Sequence, residues 1–430
     1  MGEQKEGASV PSNPTLPTPN GNQSKIFPKR VDRASFPHQP QGSQGRLPVT
    51  LENVEHLLAE NDIEVRWDVI KKAQRVSRFG DELELPTLDS LANLNGLNSG
   101  SFGDFVGVIG QQSPVNPALD WIDSKPWDGV SRIAELCATI ECDADFPIAL
   151  RDKLISTWLL SGAAAAVCPS GFKARGVLVL QGGQGLGKTT WFARLVPEAI
   201  RQHLVLLDHH LDPHNKDSVF AACSHWFVEI GELDSSFRKD IARLKGFITN
   251  DCDKLRLPYG KRPIEMPRRT VFAGSVNDPN FLIDPTGNSR FWTIPCTKID
   301  YRHSIDMQQV FAELAVKVRN GTEWWLSPDE EAELLKSNER FNSVSVLEEK
   351  FLDRFNPGEP KPRYRTASEI CAALGYSYSG NSMAREMGAI LRRYVGEPKR
   401  VQGRTCWKVG LQESDYRPDD FEIEDPEDLY

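Results

Sequence analysis

Between Gly182 and Thr190 the chain reads Gly-Gly-Gln-Gly-Leu-Gly-Lys-Thr-Thr. Glycines at this density let backbone N–H groups turn inward onto an anion, a lysine at the end of the run reaches terminal phosphates, and the hydroxyl after it suits Mg²⁺. Gly182, Gly183, Gln184, Gly185, Leu186, Gly187, Lys188, Thr189 and Thr190 are therefore the candidate nucleotide-binding residues, with Lys188 on the β- and γ-phosphates and Thr189 on the metal. ATP and Mg²⁺ are the cofactors this pattern calls for. The apolar run Gly176–Leu180 predicts a buried strand before the loop, and Thr190–Leu195 predicts a helix whose positive end aims at the same anion.

Such a loop needs carboxylates to hold the metal and to orient water. His225–Asp234 reads as an apolar strand ending in acids, and we assign Glu229 to the metal and Glu232 to the catalytic base. Asp234 stands in reserve, since it and Ser235 equally suit a helix cap. The strand Arg269–Val276 ends at Asn277, which a parallel sheet would place beside the γ-phosphate and water. Arg290 follows a turn and can neutralise transition-state charge in its own subunit or a neighbour's; Arg268 and Arg269 compete for that role.

Two further stretches suit phosphate backbones. Residues 254–264 read as two short strands around Pro258-Tyr259-Gly260, where Lys254, Arg256, Lys261 and Arg262 can meet phosphates and Tyr259 can stack on a base. Further on, Thr366-Ala367-Ser368-Glu369 is a capping box opening a helix, and Ser382–Tyr394 predicts a second helix with Met383, Met387, Ile390, Leu391 and Tyr394 inward and Arg385, Arg392 and Arg393 outward. A basic hairpin over Pro398–Val409 completes a pattern like a winged helix-turn-helix.

These side chains need a frame. Residues 1–48 are rich in Pro, Ser, Asn, Gln and Gly and predict a disordered tail. Residues 49–170 predict a helical region, starting with a capped helix at Thr50 and including a Gly/Asn/Ser-rich connection around 93–113. Residues 171–345 alternate strand and helix, with strands at 177–180, 204–207, 225–230, 270–275 and 291–294, and predict an α/β core with a parallel sheet. The winged segment takes 346–411 and an acidic tail 412–430.

The net charge of −9 excludes a uniformly basic nucleic-acid coat, but it averages unlike parts: residues 361–410 hold ten Lys and Arg against three acids, a net of +7, and residues 411–430 one Arg against nine acids, a net of −8. Eight cysteines without a metal-type grouping read as reduced thiols. With no membrane-length apolar run and no export signal, the expected location is cytoplasmic. Asp208–His214 reads as a loop beyond a strand, its three histidines lacking a metal-site spacing.

Together the motifs resemble the virulence-associated protein E family, phage and mobile-element ATPases related to superfamily 3 helicases of the AAA+ class. The likeness rests on Trp127–Arg132, Gln181–Thr190, Val228–Asp234, Pro258–Gly260, Pro267–Arg269 and Pro285–Trp292, and spans about 116–345. It implies ATP hydrolysis and a homo-oligomeric ring, such as a hexamer, in which a neighbour completes the site. It also implies that the hairpin grips DNA, single-stranded, in the ring channel. The expected function is an ATP-dependent DNA translocase or helicase of phage or mobile-element replication; the alternative is an ATP-switched origin-binding or regulatory protein that does not unwind.

Overall fold

The computed structural model of the chain describes residues 29–40, 45–233, 243–255, 263–282, 288–342, 345–376 and 380–412. These divide into two compact units, residues 1–117 and 118–430.

In the first unit the helix Leu51–Glu60 is capped as expected, the Thr50 hydroxyl accepting from Asn53 N. The expected helical region also holds the helix Leu85–Leu94 and, unexpectedly, a sheet. Strands β1 (Ile63–Asp68), β2 (Ala73–Arg78), β3 (Asp81–Glu82) and β4 (Pro114–Val115) form a sheet in the order β3-β2-β1-β4. β1 reads Ile-Glu-Val-Arg-Trp-Asp and alternates buried with exposed, a period-two pattern that belongs to a half-buried strand. Within the expected Gly/Asn/Ser-rich connection lies the helix Ser99–Gln111, burying Phe102, Val106 and Gly110 at four-residue spacing. Its glycines hid it. Gly110 packs closely there, since a Cβ would stand 3.2 Å from Val65 Cγ1 and 3.4 Å from Arg66 O.

Order also begins before residue 49. Phe36 and Leu47 are buried in this unit's core with Val54, Leu57 and Leu91. Three asparagine side chains fasten the backbone around them: Asn61 Oδ1 accepts from Lys29 N at 3.0 Å, Asn95 Oδ1 from Val31 N at 2.7 Å and Asn53 Oδ1 from His38 N at 2.9 Å. Amide pairing of this kind leaves no hydrophobic periodicity to read in advance.

The second unit is built on β5 (Ile140–Cys142), β6 (Val177–Gln181), β7 (Val205–Leu206), β8 (Phe227–Ile230), β11 (Val271–Val276) and β12 (Phe291–Ile299), in the order β5-β12-β6-β11-β8-β7. β12, β6, β11, β8 and β7 run parallel, and β5 closes one edge antiparallel. All five expected strands are present. A separate antiparallel pair, β9 (Cys252–Leu255) and β10 (Ile264–Pro267), lies between β8 and β11 in sequence.

The helix Ile148–Val167 packs on the sheet, with both of its faces largely buried. Its contact is close because Gly162 has no side chain; a Cβ would meet the Phe227 ring at 2.5 Å. Two indoles bridge the layers, Trp158 Nε1 donating to Phe272 O and Trp226 Nε1 to Gly162 O. Val179, Val228, Ile230 and Val276 share the other core cluster with Leu244, Phe281 and Phe341.

The chain then forms the helix Val346–Arg354, β13 (Arg363–Arg365), the helices Ala367–Ala373 and Asn381–Tyr394, β14 (Lys399–Val401) and β15 (Arg404–Val409). The capping box at Thr366 and Glu369 is present. Trp407 and Val409 bury against Met387, Ile390 and Leu391, with Met383 partly buried beside them; Tyr394, expected inward, is exposed and turns its hydroxyl to Glu348 Oε1 at 2.9 Å.

Candidate functional site

Parallel pairing brings the carboxyl ends of β6, β8 and β11 level, with Gln181 opposite Val276 and Gly274 opposite Ile230. The glycine loop leaves β6 at this edge, where Gly182 N donates to Val276 O at 3.1 Å. Its glycines answer to different constraints. Gly187 has φ 88° and its missing Cβ would stand 2.2 Å from the Tyr301 ring, so fold alone demands glycine. Gly183 meets nothing within 4 Å, so the fold leaves that position open.

Lys188 opens the helix Lys188–Ala193 and is 7% exposed. Its Nζ donates to Gly182 O at 2.6 Å, Gly183 O at 2.9 Å and Asn277 Oδ1 at 2.9 Å. Burial pulls its pKa down, opposed by the Cys296 thiol and by Glu229. Thr189 Oγ1 donates to Glu229 Oε1 at 3.2 Å. Glu229 is 1% exposed, and its second oxygen accepts from Asp208 N at 2.7 Å. Four residues singled out from three segments, Lys188, Thr189, Glu229 and Asn277, thus converge at one edge of the sheet.

Glu232 follows on an exposed turn with φ 47°. Asp234 lies outside the described residues. Asp208 is an addition, passed over within the histidine-rich loop. It follows β7 (Val205–Leu206) as Glu229 lies near the end of β8, and its carboxylate crowds the strand-end turn: a Cβ on Gly231 would stand 2.0 Å from Asp208 Oδ1. The available signal was its place just past an apolar run. Its neighbour His209 is held by Ser218, through the backbone carbonyl and the hydroxyl at 3.1 Å each.

The arginines separate by geometry. Arg268 is buried against Asp253, 2.6 Å away, and lies over the Phe247 and Phe272 rings. Arg269 donates to Ala165 O and Pro169 O and so closes the carboxyl end of the helix Ile148–Val167. Both are structural. Arg290 precedes β12, whose Phe291 pairs with Val177 and Pro295 with Gln181. It therefore stands at the opposite edge of the sheet from its own loop, about 15 Å away along the strand. Of its two expected modes, acting in its own subunit is the one this register disfavours.

Lys254 is paired across the β9–β10 ladder with Glu265 at 2.7 Å, both exposed. Arg256, Tyr259, Lys261 and Arg262 lie outside the described residues. On Asn381–Tyr394, Arg385 is exposed, Arg392 lies over the Trp407 ring at 5.8 Å and 3.8 Å from Glu397, and Arg393 holds the buried Glu348 at 2.6 Å.

The Trp127–Arg132 motif is a latch. Arg132 clasps Asp128 through two hydrogen bonds of 3.0 and 2.7 Å, while Asp128 N donates to Gln309 Oε1 and Ser131 Oγ to Glu313 Oε1, tying the turn to the helix Met307–Arg319.

No curated protein matches the chain. Three solved apo structures of the NrS-1 C-terminal region share 13, 15 and 16% identity at TM-scores of 0.38, 0.40 and 0.41; the matches cover 84% of this chain and 98–99% of those. The model of the virulence-associated protein E-like domain matches residues 122–343, which hold the latch, the glycine loop, the strand-end acids and both sheet edges. That is more than half of the chain, and the chain belongs to the virulence-associated protein E-like family.

Proposed function

We propose that this protein is an ATP-dependent DNA translocase or helicase that works as a homo-oligomeric ring in replication of a phage or mobile element. The convergence of Lys188, Thr189, Glu229 and Asn277 at the carboxyl edge of a parallel sheet carries the reading. The residues fit a nucleotide: Gly183 leaves open space that a Cβ would fill, and Thr189 and Glu229 present hard oxygens suited to Mg²⁺. Bound there, the ion supplies positive charge to the phosphate oxygens.

The chain's own residues do the rest. Lys188 exchanges its loop carbonyls for β- and γ-phosphate oxygens, and the glycine loop directs its N–H groups to the same anion. Asn277 and Glu232 orient the attacking water, with Glu232 drawing its proton as the oxygen–phosphorus bond forms and ADP departs. Arg290, at the far edge of its own sheet, serves the site of a neighbouring subunit. Residues 171–345 form the P-loop core in this account. Residues 346–411, three helices and a three-stranded antiparallel sheet, form a winged helix-turn-helix that meets DNA.

A strand-displacement assay beside DNA-stimulated ATPase tests the proposal. ATP-dependent release of the labelled strand is expected. ATP turnover with DNA binding but no displacement would transfer the function to the ATP-switched regulatory class.

A further inference from the structure

The C-terminal part of the chain carries its opposite charges in adjoining stretches, and strand register shows where the positive one lies. In the order β13-β15-β14, Lys408 pairs with Tyr364, Cys406 with Lys399 and Arg404 with Val401. Directly opposed residues of an antiparallel ladder share a face and alternate residues take the other. Because Trp407 and Val409 bury in the core, Tyr364, Lys399, Arg404 and Lys408 share the outer face, around the small buried Cys406. All four are exposed, Tyr364 at 43%. The acid beside them, Glu369, is 3.7 Å from Arg404 with both side chains in water, where such a pair holds weakly.

The negative stretch follows β15 within a few residues, from the end of the helix Val346–Arg354. Gln412 N donates to Arg354 O at 2.8 Å, and residues 413–430 then hold nine acids against Arg417, with Tyr416 and Phe421 among them. From Lys408 to Gln412 is about 13 Å of extended chain, and the following stretch can span at most about 60 Å, more than enough to double back. Tethering at that distance gives the acids an effective concentration on the order of millimolar at the basic face.

We infer that the outer face of this sheet docks residues 413–430 of its own chain, and that the acidic stretch there competes with single-stranded nucleic acid. The competition rests on the DNA-binding reading of this segment; the docking rests on charge, register and tether length. Lysines and an arginine around an exposed tyrosine suit a polyanion carrying aromatic side chains as well as they suit phosphates and bases. Nucleic acid then engages by displacing the tail, and salt loosens both contacts.

The test uses the full chain with Asp419, Asp420, Glu422, Glu424 and Asp425 changed to their amides. By fluorescence anisotropy it should bind a labelled oligothymidine about tenfold more tightly than wild type at low salt, the gap closing at about 0.5 M salt. A synthetic peptide of residues 413–430 should bind this variant and compete with the oligonucleotide, and Lys399→Ala with Lys408→Ala should abolish peptide binding. If the peptide binds and the lysine variant removes it, yet no protein binds the oligonucleotide, docking stands and the DNA reading of the segment fails. Absence of peptide binding, or peptide binding indifferent to Lys399 and Lys408, overturns the inference.

Discussion

At the scale of single residues, the loop glycines distinguish what the fold requires from what a ligand requires. Gly187→Ala collides with Tyr301 at a left-handed backbone position, so it should lower thermal stability as well as activity. Gly183→Ala meets nothing in the protein, so its melting temperature should stay at the wild-type value while ATP affinity falls at least about tenfold. Melting curves beside nucleotide titrations separate the two; unchanged ATP affinity in Gly183→Ala would remove Gly183 from the phosphate cradle. The strand-end acids are told apart similarly. Glu232→Gln should bind ATP normally and lose turnover by about a hundredfold or more, whereas Glu229→Gln should also raise the Mg²⁺ concentration needed. Should Asp234→Asn alone stop turnover, the base lies there instead.

Elements hold these side chains through contacts that local pattern announces unevenly. The parallel strands were legible because continuous apolar runs end in polar residues, and Thr366-Ala367-Ser368-Glu369 states its helix start outright. The roles of Arg268 and Arg269 were not, since a buried arginine and a functional one look alike in sequence until partners such as Asp253 and Ala165 O are in place. Arg269→Ala should cost about 3 kcal/mol in urea unfolding by leaving buried helix-end carbonyls unmet. The Asp128–Arg132 latch gives a pH signature. The Arg132 hydrogen bond holds the Asp128 carboxyl at about 2 against an ordinary 3.8, so its contribution is full above 3.8 and is lost as pH falls through about 2. Asp128→Asn should therefore flatten that part of the acid limb of a stability–pH curve.

Taken whole, the molecule places its loop at one edge of the sheet and Arg290 at the other, as a head-to-tail ring would use them. Mixing Lys188→Ala, which keeps Arg290, with Arg290→Ala, which keeps Lys188, should restore part of the ATPase that each lacks alone; no recovery in mixtures that do assemble would return Arg290 to a structural role. The first unit was the least legible part. Helix glycines such as Gly110 and asparagine clasps such as Asn61 to Lys29 make order without the periodicity that reveals it. The candidate edge was legible because phosphate-binding chemistry restricts residue types; Asp208 escaped notice because its place there depends on which strand lies beside β8. The most direct measurement is steady-state ATP hydrolysis by the wild-type protein and Lys188→Ala with Mg²⁺ and single-stranded DNA, both proteins first shown to be folded. The account predicts DNA-stimulated turnover in the wild type and a loss of at least about a hundredfold in Lys188→Ala; equal rates in the two would contradict it.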